Sequence, residues 1–224
     1  MSDFNPKIRY PLPDSVEIRT LQVQQTARWF KLGEEPSSAD HVIIVLHGYG
    51  QHPAFMLDSL SSLVKPGICI CAPEALNRFY IRGTNGRVGA SWMTRDDRMS
   101  DINDHLSYLN NWLASLNIPE TTRITLIGFS QGVATAGRWL ATGLHVDKVL
   151  FHSGTVPIEW HSEGAGFSKR IENFILFRGN TDSIYPNENH INAATFLSEC
   201  GYETETVNYK GGHKMLATHL DPYL

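Results

Sequence analysis

Ser130, Asp182 and His213 have the side-chain types needed for catalysis by a nucleophilic serine, and occur along the chain in the order Ser, Asp, His. A serine hydroxyl attacks poorly at neutral pH and needs a base beside it. An imidazole, with an ordinary pKa of about 6.5, can take the hydroxyl proton and pass it to a leaving group. A carboxylate on the other ring nitrogen fixes the tautomer and stabilises the imidazolium. Attack on a carbonyl also creates an oxyanion, which needs fixed N–H donors. The backbone N–H of Gln131, directly after the serine, is one candidate, and that of Tyr49 in Gly48-Tyr49-Gly50 is the other.

Each assignment has rivals. Ser130 lies in Gly128-Phe129-Ser130-Gln131-Gly132, between an apolar run and a helix-like run. A G-x-S-x-G in that setting is the sequence form of a nucleophile elbow, in which glycines admit a sharp strand-to-helix turn. The plainer reading of Ser130 is a helix N-cap. His213 competes with nine of the ten histidines in the chain. His47 and His152 flank the apolar interior and read as hydrogen-bonded structural residues, whereas His213 follows two glycines after the last strand-like run. Asp182 is preferred over Asp147, which begins a strand at the wrong edge, and over Glu188, which falls in the next helix-like run. Gly48 and Gly50 lack the third glycine and the Lys-Ser/Thr that a phosphate loop requires.

The elements that must position these residues are readable as continuous apolar runs. Residues 42–46, 68–72, 123–127, 146–151 and 174–177 read as strands buried on both faces. Residues 203–209 read as a less apolar strand. Helix-like stretches at 53–64, 100–116, 132–142 and 187–200 alternate with them. That alternation predicts a mainly parallel α/β sheet with helices on both faces. Period-two patterning at 16–23 and 26–32 predicts an antiparallel N-terminal pair. In open α/β sheets ligands meet the carboxyl ends of the strands. Residues 47–51, the elbow, 178–186 and 210–213 each follow such an end, so all four are expected on one edge.

Residues 73–99 form a long irregular insertion after a strand end and should overhang that edge. Its aromatics Phe79, Tyr80 and Trp92 are candidates for a substrate wall, with an arginine to guide an anionic substrate; the plainer reading is a surface loop whose arginines are solvated and whose aromatics are buried in the core.

The composition excludes other classes. At 224 residues with no repeat or linker, the chain reads as one domain, 1–224. A formal charge of −4 gives no electrostatic reason to expect nucleic acid. No apolar stretch is long enough for a membrane span, and residues 1–6 lack the basic and apolar regions of a signal peptide. Three cysteines, Cys69, Cys71 and Cys200, without metal-type spacing, read as reduced thiols and a cytoplasmic location.

With these motifs placed, the chain resembles the phospholipase/carboxylesterase family of α/β-hydrolases, which includes acyl-protein thioesterases. The matching stretches are residues 46–50, 128–132, 152–154, 178–186 and 212–213. The resemblance implies an α/β-hydrolase fold without a separate lid domain. It also implies a triad of Ser130, Asp182 and His213, an oxyanion hole from the N–H groups of Tyr49 and Gln131, and no metal or organic cofactor. Family members often carry Gly-Leu-Gly-Asp where this chain has Gly48-Tyr49-Gly50-Gln51, and a further glycine where it has Val133. The expected activity is hydrolysis of a small-molecule carboxylic ester, or a thioester, of short-to-medium acyl chain through an acyl-Ser130. The same residues would serve an acyltransferase, or persist in a non-catalytic binding protein of this fold. Nothing in the sequence specifies an oligomeric state.

Overall fold

The apolar runs become the strands of one seven-stranded sheet. The computed structural model describes residues 15–17, 19–157, 159–160 and 171–224. Its strands are β1 (Trp29–Gly33), β2 (His41–Leu46), β3 (Ile68–Pro73), β4 (Asn77–Tyr80), β5 (Val88–Ser91), β6 (Arg123–Phe129), β7 (Lys148–His152), β8 (Asn173–Gly179) and β9 (Thr204–Tyr209). The sheet order is β1-β3-β2-β6-β7-β8-β9, and β4 and β5 pair separately as an antiparallel hairpin. All neighbours in the large sheet are parallel except β1 with β3.

Alternate residues of each central strand feed two cores. Along β2, Val42, Ile44 and Leu46 join one apolar cluster, while Ile43 and Val45 join the other. In β8, Phe174 and Leu176 take the first face, and Ile175 and Phe177 the second. The first face is covered by α2 (Arg98–Ser115), α3 (Gln131–Ala141) and α4 (Asn187–Glu199), through Leu109, Trp112, Trp139 and Leu197. The second is covered by α1 (Pro53–Asp58), a 3₁₀ turn at Ser61–Leu63 and α5 (Ala217–Leu220). Each such fully buried side chain contributes about 1.5–3 kcal/mol, so β2, buried from end to end, is a rigid support for the loop after it.

The antiparallel pair at the N-terminal edge is β1 with β3, not β1 with residues 16–23. The described residues of 16–23 form no strand and are exposed. β1 satisfies its backbone on the free edge of β3, with Phe30 and Leu32 against the second core; the described residues of 16–23 have no comparable buried face. Residues 1–6 lie outside the described residues. The helix expected at 53–64 is interrupted: α1 stops at Asp58, and Ser59 Oγ donates to the Met56 carbonyl at 2.7 Å.

Candidate active site

The turn from β6 into α3 places Ser130 at φ 54°, ψ −118°, a conformation that costs a non-glycine residue about 1–3 kcal/mol. The surroundings hold it there. Ser130 N–H donates to the His152 carbonyl at 3.0 Å, and Val133 N–H donates to the Ser130 carbonyl at 3.0 Å. A Cβ on Gly128 would lie 2.7 Å from Val133 Cα and 2.8 Å from the Gly132 carbonyl oxygen. One on Gly132 would overlap the Leu46 carbonyl oxygen. Both glycines are therefore required by close backbone approach. The Ser130 hydroxyl makes no capping bond to α3, which disposes of the N-cap reading.

Asp182 sits in the loop after β8. Its Oδ1 accepts the N–H groups of Ile184 and Tyr185, each at 2.9 Å, and its Oδ2 lies 2.8 Å from His213 Nδ1. Burial pushes the carboxyl pKa up, but the Tyr185 N–H, the His213 ring and the Ile184 N–H together outweigh it, and the net shift is downward. The carboxylate is thus ionised and only accepts. It follows that Nδ1 of His213 carries the proton and Nε2 has a free lone pair. His213 Nε2 lies 2.9 Å from Ser130 Oγ, so the hydroxyl donates to it. The rivals lie elsewhere: Asp147 accepts the Ile124 N–H at 2.7 Å, at the other end of the sheet, and Glu188 is exposed in the first turn of α4.

The His213 loop is itself braced. Tyr209 O–H donates to the Gly212 carbonyl at 2.9 Å and is 3.1 Å from Ser153 Oγ. Phe129 packs 5.0 Å from the His213 ring, centre to centre. His152 lies buried beside Phe129 and Phe177, its pKa pushed down to about 3 by burial and by the nearby His219 and His213.

The glycine loop after β2 is pinned at both ends. Gly48 N–H donates to Gln51 Oε1 at 2.8 Å; Gly50 N–H donates to the Ala90 carbonyl at 2.9 Å, and Ala90 N–H returns to the Gln51 carbonyl at 3.1 Å. His47 accepts the Ala75 N–H on Nε2 at 3.1 Å, so its Nδ1–H donates to the Gly48 carbonyl at 2.8 Å. Burial lowers its pKa to about 4, keeping it neutral. Among the described residues no acceptor meets the backbone N–H of Tyr49 or of Gln131. Fixed amides without partners are the donors that a developing oxyanion needs.

Trp92 is not a substrate wall. It is 1 % exposed, packs 5.0 Å from the His47 ring and donates its Nε1–H to the His47 carbonyl at 2.9 Å. Phe79 stands behind the glycine loop, 5.2 Å from Tyr49. Phe79 and Tyr80 line a depression of about 460 Å³ with Arg28, His52 and Arg78, which contains neither Ser130 nor His213. Sequence reading missed the Gln131 side chain, which accepts the Trp92 N–H at 3.0 Å and donates to the Met93 carbonyl at 2.9 Å. It ties the elbow to the insertion. A polar residue directly after the serine was the available signal.

Two depressions meet at His213. One, of about 180 Å³, is lined by Ser130, Ala134, Ser153, Thr155, Ile184 and Tyr185 among others. The second, of about 240 Å³, is lined by Gln51, Phe55, Met56, Arg87, Phe129 and Lys214 among others. Among the described residues no three His, Cys, Asp or Glu side chains converge to hold a metal ion. None of the described helices is long and apolar enough to cross a membrane.

This sheet order and the elbow at the end of its central strand define an α/β-hydrolase fold. Solved structures share it: esterase PE8 at 22 % identity and TM-score 0.65, covering 88 % of this chain and 96 % of that one. Acyl-protein thioesterase 2 of Zea mays matches at 18 % and 0.68, with coverages of 88 % and 96 %. A carboxylesterase from Mesorhizobium loti matches at 14 % and 0.68, with coverages of 88 % and 93 %. No curated protein sequence matches the chain. Residues 30–222 match the phospholipase/carboxylesterase family, and the chain belongs to that family of hydrolases.

Proposed function

We propose that the protein is a serine esterase that hydrolyses carboxylic esters, and thioesters of similar size, through an acyl-Ser130 intermediate. The observation that carries this reading is the unbroken chain from Asp182 Oδ2 to His213 (2.8 Å) to Ser130 Oγ (2.9 Å). In the first half-reaction Oγ attacks the carbonyl carbon as its proton passes to His213 Nε2. The carbonyl oxygen takes the negative charge, held by the N–H groups of Tyr49 and Gln131. The C–O bond to the leaving group then breaks, and that oxygen receives the proton from His213. Water repeats the sequence on the acyl-serine, giving a carboxylic acid and free Ser130. Asp182 stays ionised throughout and stabilises the imidazolium.

A depression of about 180 Å³ beside Ser130 is smaller than the ~300–1,000 Å³ typical of drug-sized ligands, which supports a short-to-medium acyl group. Three free cysteines suit a reducing, cytoplasmic compartment. The test is rapid mixing with 4-nitrophenyl acetate. A burst of nitrophenol stoichiometric with enzyme, and an acetyl group mapped to Ser130, are expected. An acetyl group mapped to another residue would refute the assignment.

A further inference from the structure

The two depressions that meet at His213 differ in charge. The one beside Ser130 and Ile184 has no ionisable lining residue except His213 and Tyr185. The 240 Å³ cleft on the other side carries Arg87 and Lys214, with His52, and no aspartate or glutamate in its lining. This is unusual in a chain whose acidic residues outnumber its basic ones, 23 to 19. Five other arginines do meet carboxylates: Arg28 and Arg78 reach Glu74, Arg98 and Arg138 reach Glu159, and Arg123 reaches Glu172. Among the described residues Arg87 and Lys214 have no such partner.

Their positions are set by the backbone. The Arg87 carbonyl accepts the Ile81 N–H at 2.9 Å, which fixes it at the base of the turn that joins β4 to β5. Lys214 follows the histidine directly, and its N–H donates to the Gly212 carbonyl at 2.9 Å. Two cations from separate segments thus share a cleft with the imidazole that faces Ser130. Phe55, Met56, Phe129 and Met215 supply the apolar part of its wall, beside the polar Gln51, His52 and Ser59. Apolar walls with charge at two points suit a short hydrocarbon arm ending in an anion. A guanidinium can grip a carboxylate through two parallel N–H bonds, and an ammonium adds a point charge.

We infer that the substrate is an ester with a carboxylate on one of its arms, that arm lying in the cleft with its anion between Arg87 and Lys214. This rests on the esterase reading above and names its substrate class. The other, uncharged arm occupies the 180 Å³ depression. The reaction itself is unchanged; the cations act on binding.

The test uses two ester pairs and the full chain. Mono-4-nitrophenyl glutarate is compared with 4-nitrophenyl pentanoate, placing the carboxylate on the acyl arm. Then 3-carboxyphenyl acetate is compared with phenyl acetate, placing it on the alcohol arm. The charged-to-neutral ratio of kcat/KM is measured in the wild type, Arg87→Gln, Lys214→Gln and the double variant, so that any general loss cancels. In one of the two pairs the ratio is expected to fall about tenfold in Arg87→Gln and further in the double variant, chiefly through KM. The preference should also weaken as salt is added, because both cations are exposed. A ratio that stays within about twofold of wild type in both pairs overturns the inference.

Monomethyl glutarate binding to the Ser130→Ala protein, followed by calorimetry, separates the two readings. Turnover of neutral esters through Ser130 without charge preference leaves the esterase standing and removes the anion site. Binding that disappears with Arg87→Gln/Lys214→Gln, in a protein that turns over no ester, keeps the anion site and removes the esterase.

Discussion

Around Ser130 an added carbon has nowhere to go, whereas at the tip of the β4–β5 hairpin it meets nothing. A Cβ on Gly132 would overlap the Leu46 carbonyl oxygen, and one on Gly154 the Ser130 carbonyl oxygen; on Gly83 or Gly86 it finds no heavy atom within 4 Å. The elbow joins two strands and a helix that are already packed to contact, so it holds a strained serine in one geometry. The hairpin lies on the surface, joined to the elbow through Gln131 and to the glycine loop through Ala90. In the proposed esterase the buried strand ends carry the reaction, and the exposed insertion contributes Arg87, one of the two cations inferred to select a substrate. Tight packing preserves a mechanism; loose packing leaves room to vary what is bound.

The largest effect expected is chemical. Ser130→Ala should lower ester kcat/KM by about three to six orders of magnitude while the melting temperature hardly moves. Steady-state assays beside thermal melts read both. Asp182→Asn comes next, at about two to four orders of magnitude. Its amide can still accept from Ile184 and Tyr185 but turns a donor toward His213 Nδ1, forcing the wrong tautomer. A greater loss in Glu188→Gln would move the acid elsewhere.

Stability distinguishes the two regions more directly. Gly132→Ala should cost about 3–5 kcal/mol, because the elbow backbone must separate from Leu46. Gly83→Ala should cost only about 1–2 kcal/mol, the penalty of a side chain at φ +60° in open space. Urea melts of both variants check this, and equal costs would erase the contrast.

Acid should attack the elbow side from within. Unfolded histidines take protons near pH 6.5, but burial holds His47 neutral to about pH 4 and His152 to about pH 3. Over that interval the unfolded chain binds more protons, so stability falls as pH drops from about 7 toward 4. For His47 alone the loss by pH 4 is about 3 kcal/mol. The His47→Gln variant should show a shallower decline of its urea midpoint with pH than the wild type.

What was legible in the sequence follows the same division. The continuous apolar runs announced the central strands, because a strand buried on both faces has no room for polar residues. The elbow glycines and the polar residues after each strand end announced the residues that the structure brings together. The strand predicted at 16–23 had real period-two alternation, yet β3 offered its free edge to β1. The β4–β5 hairpin was missed because its strands are four residues each and Asn77 and Arg78 mask their pattern. Trp92 read equally as wall or core, and the structure buries it; its partner, the His47 carbonyl, is 45 residues away in sequence. Arg87 looked solvated, and only the folded hairpin brings it to the cleft beside His213.

The proposed function stands or falls on activation of Ser130 by His213 and Asp182. Incubation with a fluorophosphonate followed by peptide mass mapping tests it most directly. One adduct is expected, on Ser130, abolished in Ser130→Ala and formed at least about a hundredfold more slowly in His213→Ala. Labelling of Ser130 at the same rate with and without His213, or an adduct on another serine, would contradict it.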